Sequence, residues 1–312
     1  MLDDILTTAF LTGFLAATIR LGTPILITAL GETVAERSGV MNLGIEGILI
    51  IGAFVGFAVA NETGNTGLAF GAAGLSGAAL GLLMSFLSVR LHANQIVAGL
   101  GIWILCQGLA SFLYRRFYGV TSAPLIIDVL EPLPLPLLSR IPLLGETLFN
   151  QNLVVYLTLL AVPLLAFLFK RTAAGLNIDA VGENPHAADA AGLAVGRIRT
   201  VAVTFGGLMA GLGGAYLALA LYGLFTPDLS TGLGWIAIAV VIFGRWRPGQ
   251  VLLGAFIFGA TQALQFRLQA MDFPLPYQFL LMLPFLVTLV IVVLFVRDEG
   301  GPAALTKPFR RS

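Results

Sequence analysis

The sequence predicts an all-α polytopic membrane protein of about nine transmembrane or half-spanning helices (roughly eight to ten). Three observations predict it. Hydrophobic residues make up 58% of the 312-residue chain and charged residues only 11%, where a soluble domain carries about a quarter charged residues. Mean hydropathy is +0.94. Apolar runs alternate with short polar breaks along the whole chain, and the basic residues fall unevenly among those breaks.

The first apolar run covers 5–29. Met1–Asp4 carries acids and no basic n-region, and the run exceeds signal-peptide length, so it reads as a retained span. Further runs cover 42–60, 67–88 and 94–114, then 152–169, 199–221, 231–244, 249–266 and 276–296. The run 231–244 is short enough for a half-helix. The 116–151 segment is a proline-rich loop (Pro124, Pro132, Pro134, Pro136, Pro142), and 170–198 is polar. Placing 170–199 in the cytosol puts Arg37, Arg90, Lys170, Arg171, Arg197, Arg199, Arg245, Arg247, Arg297, Lys307, Arg310 and Arg311 inside. Arg115, Arg116, Arg140 and Arg267 then lie outside, twelve against four. The positive-inside bias therefore predicts an extracytoplasmic N-terminus and a cytosolic C-terminus.

Leu43–Ile48 (LGIEGI) resembles Leu233–Ile238 (LGWIAI), and each opens a span after an irregular stretch. Matching spans one to four with six to nine gives an odd offset, hence an inverted repeat, a transporter signature. The expected layout is a single transmembrane domain: first repeat 1–115, extracytoplasmic loop 116–151, linker helix 152–169, cytosolic loop 170–198, second repeat 199–296 and cytosolic tail 297–312.

Polar residues inside apolar runs are functional candidates, because burying them is costly. Gly31–Gly47 (GETVAERSGVMNLGIEG) carries Asn42 and Glu46. They read either as pathway residues or as a turn with Asn42 capping a helix and Glu46 in its first turns. Glu32, Glu36 and Arg37 are expected to be loop charges. Asn94 and Gln95 open the fourth span, and Trp103 and Gln107, four residues apart, share a face. Amides with an aromatic ring suit a neutral, ring-bearing polar solute, while the alternative is hydrogen bonding between helices. Arg20 either pairs with an acid or snorkels. The 37 glycines, dense at Gly206–Gly214 and spaced by five at Gly249, Gly254 and Gly259, predict close helix packing. Cys106 is alone, which excludes an internal disulfide, and it reads as a small packing residue. A net charge of +1 gives no reason to expect nucleic acid. Neither metal-ligand spacing nor a Ser/His/Asp arrangement occurs.

No GxxxxGK[ST] phosphate loop is present, and the two lysines, Lys170 and Lys307, do not follow a glycine. If transport is driven by ATP, another chain hydrolyses it. Within the polar loop, Gly182–Gly192 predicts one short helix, capped by Asn184, with Pro185 at the first helical position and a stop at Gly192. Its alanines make a slim surface, suited to docking in a groove or to lying on the membrane.

Several stretches carry a family resemblance: Gly31–Gly47, Ala93–Gly99 (ANQIVAG), Val181–Gly192 (VGENPHAADAAG), Gly234–Gly249 (GWIAIAVVIFGRWRPG) and Leu283–Val293 (LPFLVTLVIVV). In order along nearly the whole chain, they resemble ABC-importer permeases of the branched-chain amino-acid/ribose-type superfamily. The similarity is to the nucleoside and simple-sugar branch served by basic-membrane-lipoprotein-type binding proteins. The resemblance implies a non-catalytic permease subunit in a bacterial plasma (inner) membrane. It implies a second permease chain, identical or paired, two ATPase subunits holding ATP and Mg, an extracytoplasmic solute-binding lipoprotein and surrounding membrane lipid. No cofactor or metal is expected on this chain. The resemblance makes Gly182, Glu183, Asn184, Pro185, Ala187, Ala188, Ala191 and Gly192 the ATPase-coupling residues. Asn42, Glu46, Asn94, Gln95, Trp103 and Gln107 remain translocation-path candidates. NLGIEG stands where ribose permeases carry a GxDLSVG-type segment, which favours nucleosides over free pentoses. The rival expectation is an ATP-independent channel or proton-coupled secondary transporter, with Glu32, Glu46 and Arg20 as relay groups.

Overall fold

A computed structural model of the chain describes residues 8–119, 125–136, 138–141, 144–271, 276–295 and 300–310. Pro124, Pro142, Arg297 and Arg311, named above, lie outside the described residues. Seven helices are long and apolar enough to cross a membrane, and two shorter apolar helices accompany them, among the described residues.

Helix α1 (Thr8–Arg37) runs eight residues past the expected end. Glu32 and Glu36, expected as loop charges, are helical and fully buried. The reason is a donor that the fold brings to each: Glu32 Oε1 accepts from the Asn42 backbone N–H at 2.8 Å, and Glu36 Oε2 accepts from the Trp246 indole at 2.6 Å. Helix α2 (Ile45–Thr63) stops at Gly64, whose φ of +64° suits glycine. Helix α3 (Thr66–Ser85), capped by Asn65, passes into a π turn over Phe86–Arg90, and α4 spans Gln95–Tyr118. The loop that follows folds into two short antiparallel strands, β1 (Leu133–Pro134) and β2 (Asn150–Gln151), with helix α5 (Leu144–Leu148) between them. Arg20 donates to Gln151 Oε1 at 3.1 Å, so its partner here is an amide.

Helix α6 (Leu153–Arg171) leads into two short helices, α7 (Ala173–Glu183) and α8 (Pro185–Ala190). Helix α8 is the short helix expected within Gly182–Gly192: Asn184 caps it, Pro185 is its first residue and it stops before Gly192, whose φ is +87°, while Gly182 and Glu183 belong to the end of α7. Asn184 is extended, ends α7 and caps α8 through its side chain, so the chain breaks there. Helix α9 (Val195–Tyr216) continues as a π turn over Leu217–Tyr222, followed by α10 (Leu233–Phe243), α11 (Pro248–Ala270) and α12 (Tyr277–Phe295).

Helices α2 and α9 form the centre: the most apolar windows of both are 67% buried, against 22% for α4. Helix α9 packs most extensively on α3, and α11 on α1. Both crossings depend on missing side chains. A Cβ on Gly77 would fall 2.2 Å from the Gly207 carbonyl oxygen, and one on Gly259 would fall 2.3 Å from that of Thr18. Small residues that admit such close backbone approach are the expected device where lipid offers no hydrophobic contrast. The large apolar side chains on the outer faces, such as Ile104 and Phe112 on α4, are exposed.

Candidate functional site

Helix α10 has 11 residues, about 16 Å of rise, roughly half the ~30 Å hydrocarbon thickness. Its C-terminal end leads to Trp246, beside Glu36 and Arg37 at the end of α1. Its N-terminus therefore lies deep within the bundle, where the first turn of α2 meets it. There the Glu46 carboxylate receives three donors. Oε1 accepts from the Ser230 hydroxyl and from the Gly232 N–H at 2.9 Å, and Oε2 accepts from the Gly234 N–H at 2.6 Å. Glu46 is 5% exposed, so these charge-assisted bonds act with little competition from water. A carboxylate at a helix N-terminus satisfies unpaired N–H groups and favours the helix dipole. Position 234 must be glycine for this contact, because a Cβ would fall 2.6 Å from the Glu46 Cα.

Beside this junction is a cavity of about 340 Å³ lined by Glu46, Trp103, Gln107, Pro227, Asp228, Ser230, Thr231, Gly232 and Trp235. The Trp103 and Trp235 rings meet edge to face, 5.7 Å apart at 84°. Gln107 donates to the Pro227 carbonyl at 2.8 Å, which ties α4 to the segment before α10. No basic side chain lines the cavity among the described residues.

The structure thus brings Glu46, Trp103 and Gln107 together and puts Asn42, Asn94 and Gln95 elsewhere. The Asn94 side chain caps α4 by accepting from Ile96 N and Val97 N. Gln95 Oε1 accepts from Met41 N, and Asn42 Oδ1 accepts from Gly44 N, knitting the 38–44 turn to α4. Sequence reasoning missed Ser230, Asp228 and Trp235. The LGIEGI/LGWIAI likeness was the available signal, since it marks two helix starts that prove to abut.

The 170–199 end forms a second constellation. The Arg37 guanidinium donates twice to Asp179 of α7, at 2.7 and 2.5 Å, and once to the Trp246 carbonyl at 3.1 Å. The same guanidinium lies 3.8 Å from the centre of the Phe169 ring. Trp246 and Arg245 hold positive φ (54° and 48°), unusual for such side chains, and the Glu36 and Arg37 contacts fix that turn. Gly182 is pressed onto the end of α1: a Cβ there would overlap the Arg37 carbonyl oxygen at 1.9 Å. Its own carbonyl accepts from Ala304 N at 2.9 Å. The C-terminal segment 300–310 continues across this end, with Lys307 O accepting from Arg199 and the Phe309 ring 5.0 Å from His186.

On α8 and its flanks, Gly182, Pro185 and Ala188 face inward, whereas Glu183, Asn184, Ala187, Ala191 and Gly192 are exposed. Ala188 packs in a small apolar cluster with Val181 and Val195, against Leu193, Ile198 and Phe309. Among the described residues, no group of three or more His, Cys, Asp or Glu is placed to hold a metal ion.

Helices long and apolar enough to span a membrane thus surround the short helix α10, with a small polar cavity where it meets α2, the architecture of a polytopic membrane protein. Residues 14–294 match the family described as branched-chain amino acid transport system / permease component, and the chain belongs to that family. It is 34% identical over 304 residues to the guanosine ABC transporter permease protein NupQ of Bacillus subtilis, covering 94% of this chain and 95% of that one. It is 35% identical over 300 residues to the nucleoside ABC transporter permease protein NupC of Lactococcus lactis, covering 90% and 92%. It is 40% identical over 269 residues to TsgC13 of Haloferax volcanii, provisionally named a glucose ABC transporter permease protein, covering 86% and 81%. A solved inward-facing ABC transporter shares the fold, with a TM-score of 0.53 and 16% identity over 90% of this chain and 84% of that one. The chain is accordingly an ABC transporter permease, a membrane subunit without ATP chemistry of its own.

Proposed function

We propose that the chain translocates nucleosides or a related simple sugar, delivered by an extracytoplasmic binding protein and driven by separate ATPase subunits, across a bacterial inner membrane. One observation carries the solute class: the cavity at the α2–α10 junction offers two indole rings, an amide and carboxylates, with no cation. A free amino acid would bring a carboxylate that needs a cation or a helix N-terminus, and Glu46 already occupies the N-terminus of α10. A neutral ring-bearing solute can instead stack on Trp103 or Trp235 and hydrogen-bond to the polar groups. The nucleoside and sugar names of the relatives agree with this reading.

The 170–199 end is cytosolic in this reading, which the excess of basic residues there supports. The exposed face of α8, with Ala187 and Ala191 on its slim side, receives the ATPase. Asp179 and Arg37 pass the displacement to α1, and Trp246 passes it to the α10–α11 turn. An inverted repeat relating α1–α4 to α9–α12 is supported by paired glycine crossings (α3 on α9, α11 on α1) and by abutting starts of α2 and α10. A second permease chain completes the pathway.

The test is uptake into proteoliposomes containing this chain, its ATPase subunits and its binding protein. Labelled nucleoside or glucose accumulates only with ATP, and excess leucine does not compete. Uptake driven by a proton gradient without the ATPase would establish the secondary-transporter reading instead.

A further inference from the structure

Away from the solute cavity, a groove of about 480 Å³ opens on the flank of the bundle near the 170–199 end. Its walls are apolar: Leu165 and Leu168 from α6, Ile178 from α7, and Ile198, Val201 and Phe205 from α9. It faces outward, since Val201 is 62% exposed and Leu164 and Leu176 nearby on α6 and α7 are more than half exposed. Its polar groups are Asn177 and Arg197, at the end where α9 begins. Lys170 and Arg171 close α6 immediately beyond Leu168 and are exposed. From Arg197 to Phe205 the groove follows nine residues of α9, about 12 Å from first to last, close to the ~15 Å depth of one leaflet's hydrocarbon.

We infer that this groove is a binding site for one anionic phospholipid. One acyl chain lies between α6 and α9, and the headgroup phosphate is held at the mouth by the Arg197 guanidinium and the Asn177 amide. The match of depth to a single leaflet identifies the apolar part as an acyl-chain site. The Arg197 guanidinium in the groove pairs strongly with a phosphate, and the exposed Lys170 and Arg171 at the adjoining end of α6 add positive charge that favours a headgroup of net negative charge. A second copy of this chain is a poorer occupant: a symmetric contact would set Lys170, Arg171 and Arg197 against their own counterparts. The lipid would brace α7, which carries α8, against α1 and α9.

The test needs no transport assay, so its outcome is independent of the solute reading. The purified chain is exposed to equimolar phosphatidylglycerol and phosphatidylcholine in detergent, and bound lipid is counted by native mass spectrometry. The site predicts one retained phosphatidylglycerol per chain, at least tenfold over phosphatidylcholine. Arg197→Gln reduces that preference severalfold, and Val201→Trp, filling an exposed wall, reduces retention of both lipids. Unchanged thermal melting and size-exclusion profiles certify that both variants are folded. Equal retention of the two lipids by the wild type, or an undiminished preference in Arg197→Gln, would overturn the inference. So would a Val201→Trp variant that changes the oligomeric mass while lipid retention stays constant, which would assign the groove to a chain–chain contact.

Discussion

Replacing Glu46 by Gln keeps size and shape while removing one acceptor and the charge. The carboxylate accepts from Ser230, Gly232 and Gly234, and hydrogen bonds to charged groups contribute about 1.5–3 kcal/mol each. A glutamine amide has one oxygen. If that oxygen serves Ser230 and Gly232, the amide NH₂ faces the Gly234 N–H, donor against donor. One buried N–H then lacks an acceptor, costing about 1–3 kcal/mol, and loss of charge at the α10 N-terminus adds about 0.5–2 kcal/mol. The expected destabilisation is therefore about 1.5–5 kcal/mol. Ser230→Ala removes one such bond and is expected to cost about 1.5–3 kcal/mol. Thermal unfolding in detergent, followed by tryptophan fluorescence, reads the loss, since Trp103 and Trp235 line the adjoining cavity. The two residues touch, so the double mutant must be non-additive by at least 0.5 kcal/mol or so. A Glu46→Gln protein within about 0.5 kcal/mol of wild type, or a strictly additive double mutant, would refute the trans-capping of α10.

Further consequences concern the coupling end and the helix crossings. Ala187→Glu places charge on the exposed face of α8 and is expected to abolish co-purification of the ATPase without lowering the melting temperature; Ala188→Glu, at a buried position, lowers both. Asp179→Asn weakens a half-buried bidentate pair with Arg37 (side chains 32% and 19% exposed) by about 1 kcal/mol after solvent screening, and the ratio of solute moved to ATP hydrolysed should drop severalfold. Gly207→Val sets methyl groups against the Gly77 carbonyl oxygen, 2.4 Å from the new Cβ; a loss of about 3 kcal/mol or more is expected, visible as aggregation on size exclusion. Deleting 300–312 removes the Ala304 and Phe309 contacts to Gly182 and His186; accelerated amide exchange should appear in 173–192 and not in α2.

The sequence by itself determined the class of protein. The positions of the apolar runs, the missing phosphate loop and the Asn184–Pro185 start of α8 are local properties of composition and capping, and they hold whatever the rest of the chain does. Glu32 and Glu36 were illegible for the opposite reason. Two acids near the end of an apolar run read as solvated unless a donor is known to await each, and Trp246 lies 210 residues away from its acceptor. The candidate site divides along the same line. That Glu46 was a costly polar residue in an apolar run, and that Trp103 and Gln107 share one helix face, was visible in the chain. That Glu46 holds α10 through Ser230, Gly232 and Gly234, while Asn94 caps α4 and Gln95 braces the 38–44 turn, was decided by the tertiary structure. A hydrogen bond depends on which two segments the packing brings within about 3 Å, and no periodicity within either segment encodes that distance.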